Sequence, residues 1–303
     1  VLILFVMINE YKSFYKTVNG NEGTKCNYAT RLDPYGKGCY YNCKYCYAKS
    51  LLNFRKLWHP ENVAQADIQK IRKKIDKLEE GTVIRLGGMT DCFQPIEKKV
   101  KNTLNTIKAL NHKKIHYLIV TKSDLLLNKE YMEILDKELA HVQISIPSTE
   151  NNILSQLDNA PPFERRKETV ETLHSEGYDT CIRLSPFLPE HTDIHKINRI
   201  QCDKVLVEFL RVNSWIEKAI KDIVDISEYT VKQSNYKHLP LNKKLELLKQ
   251  IKKPQVSVCD DVDEHYMYFK NNFNPNPQDC CNLTFKKPSY IMEENIIDSA
   301  TFM

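Results

Sequence analysis

Three cysteines within ten residues carry the spacing in this chain best suited to chemistry. They are Cys39, Cys43 and Cys46 of Gly38-Cys39-Tyr40-Tyr41-Asn42-Cys43-Lys44-Tyr45-Cys46-Tyr47. A Cys-x3-Cys-x2-Cys loop holds three irons of a cubane cluster by thiolate and leaves the fourth iron open to a ligand. Two other readings compete. A closed zinc site wants four ligands, and the nearest spare candidates, Cys26 and His59, each lie 13 residues from the triad. Plain core packing suits three close thiols poorly when Asn42 and Lys44 stand among them.

Pro34-Tyr35-Gly36 followed by Gly38-Cys39-x3-Cys43-x2-Cys46-Tyr47-Ala48 resembles the cluster loop of radical S-adenosylmethionine (radical SAM) enzymes. Within that superfamily, the ending Tyr45-Cys46-Tyr47 is similar to the spore photoproduct lyase-like group. The resemblance implies a 4Fe-4S cluster on Cys39, Cys43 and Cys46, with SAM chelating the fourth iron. It implies reductive cleavage of SAM to a 5′-deoxyadenosyl radical, fed by an electron donor such as flavodoxin or ferredoxin. It also implies a partial six-stranded parallel barrel and, from the lyase-like group, a nucleic-acid base or nucleotide as substrate.

The elements that must position such a loop read consistently with that fold. A short strand near Leu32 delivers the cluster loop, which runs into a helix at about 48–57. A longer helix is predicted over 62–80, then a strand over 82–86 and a helix over 97–110. Ile115 to Val120 is a buried strand, and Leu125 to Leu139 reads as mostly helical. Strands follow at 141–146, 180–184 and 204–210, with a helix over 163–176. This strand–helix alternation predicts an α/β fold with a partial (β/α)6 barrel of parallel strands. The predicted organisation is a lead-in over residues 1–30, a barrel over 31–212 and C-terminal helices with a Cys-containing tail over 213–303.

In parallel α/β barrels functional groups gather at the C-terminal ends of the strands. Those ends carry the triad, Gly87-Gly88, Lys122, Ser145 and Arg183. Paired glycines let backbone approach a ligand's amino group. Lys122 could neutralise a carboxylate and Ser145 could hydrogen-bond ribose or carboxylate oxygens. The lyase resemblance implies the same jobs for both. Against these stand a solvated lysine, a strand hydroxyl bonded to backbone, and an Arg183 paired with Glu208 inside the barrel.

Thr90-Asp91-Cys92-Phe93-Gln94-Pro95-Ile96-Glu97 resembles a Thr-Asp-Pro-Tyr-Gln-Pro-x-Glu signature of the lyase-like group, with Cys92 in place of the first proline. The hydrogen-donating cysteine of those lyases aligns with Gly88, four residues away. Candidates for hydrogen-atom transfer are therefore Cys92, Cys280 and Cys281, then Tyr45 and Tyr47. Cys92 reads equally as a small buried thiol, and the tyrosines as packing. Cys280 and Cys281, in a turn-rich Asn-Pro segment, read as structural thiols, as a thiol facing the site, or as ligands of a second cluster with Cys259 and one distant cysteine.

Ten cysteines without a disulfide-scaffold pattern predict a reducing, cytoplasmic setting. No stretch approaches the length of a membrane span. The net charge of +5 divides unevenly: the first 254 residues carry +10 and the remainder −5. A basic body with Lys98-Lys99, Arg165-Arg166-Lys167 and Lys252-Lys253 fits a polyanion partner. Two alternatives remain at this level. One is radical SAM modification of a peptide or small metabolite, and the other is a non-enzymatic zinc-binding module.

Overall fold

Parallel strands buried on both faces need nearly continuous apolar runs, and the runs predicted from sequence supply them. The computed structural model describes residues 13–16, 25–28, 30–80 and 82–283. Among these, one sheet of eight strands follows chain order without a crossover in strand sequence. Its members are β1 (Phe14–Lys16), β2 (Thr30–Leu32), β3 (Val83–Leu86), β4 (His116–Thr121), β5 (Ala140–Ser145), β6 (Asp179–Phe187), β7 (Lys204–Phe209) and β8 (Gln255–Val258). β1 pairs antiparallel with β2, and every later pair is parallel. The expected α/β parallel sheet is therefore present, as an open, partial barrel.

One strand was not expected. Gln255–Val258 pairs in parallel with Lys204–Val207, so the sheet has a seventh parallel strand drawn from the region predicted as helices and tail. Four residues behind Pro254 give almost no periodic signal; it is the exposed edge of β7 that recruits them. The expected lead-in over residues 1–30 lies largely outside the described residues, as does the tail beyond residue 283.

Apart from the 163–176 helix, which forms as predicted, the helices are shorter than predicted. α1 (Tyr47–Phe54) starts directly from the cluster loop. α2 (Ile68–Ile75) begins only after Asp67, whose carboxylate accepts hydrogen bonds from Gln69 N and Lys70 N as an N-cap. Ile71 and Ile75, one turn apart, bury its inner face. α3 (Asn102–His112) and α4 (Phe163–Ser175) pack on the barrel through Leu104, Ile107 and Leu110, and through Val170 and Leu173. The predicted 125–139 helix is reduced to a 3-10 turn at Leu125–Leu127 and one turn at Lys129–Met132, because Asn128 between them is extended. α5 (Ser214–Ile220), α6 (Leu241–Leu248) and α7 (Asp263–Asn272) follow. None of the described helices is long and apolar enough to cross a membrane.

Candidate active site

The cluster loop is held by its neighbours before any ligand is considered. Asn42, in left-handed conformation, donates its N–H to Cys39 O at 3.0 Å. Lys44 N donates to Leu157 O and Asn159 N to Tyr41 O. Cys46 is the N-cap of α1, its Sγ accepting from Lys49 N at 3.4 Å. Gly38 passes so close to the 59–60 backbone that a Cβ would stand 2.3 Å from His59 O. No side chain fits there.

The Thr90 to Glu97 segment explains itself as the loop's buttress. Thr90 Oγ1 donates to Tyr35 O at 2.6 Å, and Gln94 Oε1 accepts from Tyr40 N at 3.0 Å. Glu97 is fully buried and accepts from Tyr35 OH, Tyr131 OH, Thr103 N and Leu104 N. Asp91 accepts from Thr121 Oγ1, Lys122 N and Phe93 N. Burial raises the Asp91 carboxyl above the ordinary range even though Lys122 pulls it down.

Cys39, Cys43 and Cys46 share the wall of one cavity with Gly87, Gly88, Lys122, Ser145 and Arg183, a space of about 990 Å³ including its open mouth. The structure thus brings together every residue expected to bind metal or cofactor. The Lys122 ammonium lies 5.7 Å from the centre of the Tyr45 ring. Burial works against its charge, but Cys43, Asp158 and Asp91 outweigh that and hold its pKa above the ordinary lysine value. Arg183 lines the cavity but is committed to the barrel interior: it donates to Gln143 Oε1 and Glu208 Oε2, both at 2.6 Å. The ion-pair alternative therefore describes its guanidinium. Burial alone would raise Glu208, yet Arg183, Arg211 and a hydrogen bond from Ser185 hold it down to about 2.

The five residues expected to transfer hydrogen separate clearly. Cys92 is 0% exposed, packs in the main core and is absent from the cavity wall. Its expected place at the barrel mouth is corrected: the turn through Asp91 and Phe93 points its thiol inward. Cys280 and Cys281 also lie off the wall, against Leu206, Cys181 and Cys259. Tyr45 and Tyr47 do line it. Tyr45 OH donates to Asp158 Oδ2 at 2.5 Å, and Tyr47 OH to Gly88 O at 2.6 Å. Both rings therefore position the site as well as face it.

Several site residues escaped sequence reasoning. Asp33 follows β2 and accepts from Gly88 N and Met89 N, both at 2.7 Å, fixing the glycine loop over the cluster loop. An acidic residue one step past a barrel strand was the available signal. Arg211 stacks on Tyr47, 4.6 Å from the ring centre, while its guanidinium pairs with Asp261. Asp158 and Arg166, both fully buried and 2.7 Å apart, carry Tyr45 from behind. Nothing in sequence joins those three.

Gly87 takes φ +83°, and a Cβ on it would lie 2.5 Å from Val120 O. Gly87→Ala is expected to cost about 2 kcal/mol or more, from left-handed strain plus a backbone collision. Thermal denaturation checks this; an unchanged midpoint would mean the glycine loop is free to move.

The site fits a thiolate-held cluster and a polar organic ligand beside it. Burial pushes the Cys39 thiol up to about 12 and Cys43 well above its usual range, so metal must supply the drive for deprotonation. Among the described residues no three Cys, His, Asp or Glu groups converge as ligands of one ion; a cubane attaches each sulfur at a separate corner and needs no such convergence. Trp58 Nε1, on the cavity wall, is buried without a hydrogen-bond partner, as a donor awaiting a ligand would be.

Comparison with known proteins agrees. The family model described as the Radical SAM superfamily matches residues 34–198. An uncharacterized protein of Methanocaldococcus jannaschii is 30% identical over 165 residues, covering 53% of this chain and 61% of that protein, so the match spans less than two thirds of its length. A variant of spore photoproduct lyase with bound AdoMet and dinucleoside spore photoproduct superposes with TM-score 0.57 at 15% identity, over 77% of each chain. Streptococcus suis SuiB bound to S-adenosylmethionine gives TM-score 0.50 at 14% identity, over 79% of this chain and 52% of SuiB. Likeness at these identities concerns the fold.

Proposed function

The chain belongs to the radical SAM superfamily, an enzyme family that uses a 4Fe-4S cluster and SAM, and we propose that it performs radical chemistry on a nucleic-acid base or nucleotide. When bound and reduced, the cluster supplies the electron that cleaves SAM to methionine and a 5′-deoxyadenosyl radical.

In this reading Cys39, Cys43 and Cys46 anchor the cluster. The Gly87-Gly88-Met89 backbone, braced by Asp33 and Tyr47, frames the SAM methionine end. Lys122 neutralises its carboxylate, and Ser145, 3% exposed and on the cavity wall, hydrogen-bonds its polar oxygens. Lys122→Ala and Ser145→Ala are expected to keep the iron but weaken SAM binding about ten- to a hundredfold, the loss of one charge-assisted contact. Equilibrium binding of SAM to the cluster-loaded protein measures this, and unchanged affinity in both variants would remove them from the site.

The observation that carries the substrate class is the surface beside the mouth. α1 leaves the cluster loop and α5 follows Arg211, so both helices start at the cavity, and they contact each other. They expose Leu51 (45%), Phe54 (75%) and Trp215 (51%). Exposed aromatic faces stack unpaired bases, and Arg55 and Lys218 follow Phe54 and Trp215 by one and three residues in sequence. A base in duplex must be extruded to reach a buried radical centre. The spore photoproduct lyase likeness supports this through the fold alone.

Oligonucleotides are expected to bind with strong salt dependence, single strands ahead of duplex, and to raise 5′-deoxyadenosine formation above the substrate-free rate. Phe54→Ala and Trp215→Ala should weaken binding by about 1–3 kcal/mol per lost stack while leaving substrate-free SAM cleavage unchanged. If nucleic acid neither binds nor stimulates, and a peptide or small metabolite does, the substrate class is overturned while the radical SAM assignment stands.

A further inference from the structure

Four cysteines outside the triad, drawn from three separate segments of the chain, pack into one group inside the barrel. Cys26 precedes β2, Cys259 directly follows β8, and Cys280 and Cys281 form the turn after α7. They pack with one another and against Leu118, Cys181 and Leu206 of the strands. Cys26, Cys259 and Cys280 all pack against the buried group that contains Cys281, and none of the ten cysteines is in a disulfide.

The segments bearing these thiols are built to converge. Tyr28 N donates to Cys26 Sγ at 3.3 Å, the kind of N–H···S contact that steadies a ligating sulfur. Tyr28 OH donates to Asp279 Oδ2 at 2.8 Å, and the same carboxylate accepts from Cys281 N and Leu283 N. Ser257 Oγ donates to Cys280 O at 2.6 Å. Asn274 ties the turn to Val258 through both its amide atoms. Positive charge lies close by: Arg85 and Arg183, whose side chains line the cavity above, both favour the thiolate form of Cys281, and the Arg85 Nε is buried without a hydrogen-bond partner.

We propose that Cys26, Cys259, Cys280 and Cys281 hold a second iron–sulfur cluster, on the floor of the barrel beneath the SAM cavity. Four thiolates are the full ligand set of a cubane. Each thiol gives up its proton to solvent on ligation, and the resulting negative cluster sits in an apolar shell where Arg85 and Arg183 offset its charge. With all four irons ligated by protein, this cluster has no open position; it ties the segment before β2 to the segments after β8 across the open side of the barrel. Local spacing hid the site, because Cys26 and Cys281 lie at opposite ends of the described chain.

The test is iron and sulfide content after anaerobic reconstitution of the full chain, and it does not depend on the substrate. Wild-type protein is expected to hold about eight irons and eight sulfides, two cubanes. The combined variant Cys39→Ala, Cys43→Ala, Cys46→Ala should keep about four of each, with a reduced paramagnetic signal that SAM does not alter. The combined variant Cys26→Ser, Cys281→Ser should lose those four and keep a SAM-responsive cluster. Cys181→Ala should keep both, since the Cys181 thiol already donates to Ile182 O. Should the Cys26/Cys281 variant fail to fold, the triad variant still decides. Absence of iron there, with four titratable thiols or a single zinc ion and no sulfide, overturns the proposal; absence of a SAM-responsive signal in wild type would instead overturn the radical SAM cluster assignment.

Discussion

Replacing Cys39, Cys43 or Cys46 with Ala is expected to abolish both the SAM-responsive cluster and the formation of 5′-deoxyadenosine. In the proposed site each thiolate anchors a different iron, so two cannot stand in for three. The loop offers no substitute: Asn42 is locked in a left-handed turn, and Tyr41 and Tyr45 spend their hydroxyls on Phe93 O and Asp158. SAM cleavage should fall to the uncatalysed background in all three variants, measured by chromatography of reduced, anaerobic reactions. Near-wild-type cleavage in any one would sink the assignment. Because the triad sits on a loop and a helix cap rather than on a sheet strand, circular dichroism of the variants should match wild type.

The second large effect is expected far from any cofactor atom. Asp158→Ala leaves the Arg166 guanidinium buried without its counter-charge, and breaking such a pair by removing one partner costs about 3–5 kcal/mol. Arg166 would keep only its bonds to Pro161 O and Ser145 O. For a chain of this size the melting temperature should drop by roughly 10 °C. The same change frees Tyr45 OH, and with it the loop between Cys43 and Cys46, so cluster retention should fall as well. A variant that melts like wild type would show the pair to be structurally idle. Asp158→Asn, which keeps a hydrogen-bond acceptor but not the charge, should fall between the two.

Local chemistry was legible in the sequence because local spacing determines it. The triad needs one tight loop, and the eight residues from Cys39 to Cys46 with a turn at Asn42 make one whatever the rest of the chain does. The parallel sheet was legible for a related reason: strands buried on both faces need runs such as His116–Thr121 and Ala140–Ser145, and the loops at their ends follow. Lys122 and Ser145 were placed by that rule, with the lyase resemblance implying the same jobs, and the structure puts both on the cavity wall with the cysteines. What depended on contacts between distant segments could not be read. The direction of the Cys92 thiol is decided by Phe93 and Tyr131 packing edge to face beside it, which turns a candidate at the mouth into core. β8 exists because β7 has a free edge, not because Gln255–Val258 has a strong strand signal. Arg183 pairs with Glu208 on the adjacent strand, an alternative raised from sequence that only the fold could decide, and Asp158 found both Arg166 and Tyr45. Cys26 meets Cys259, Cys280 and Cys281 only because the open barrel brings the two ends of its sheet close enough for their flanking segments to touch. Sequence spacing fixes partners a few bonds apart; partners two hundred residues apart are chosen by the closure of the fold.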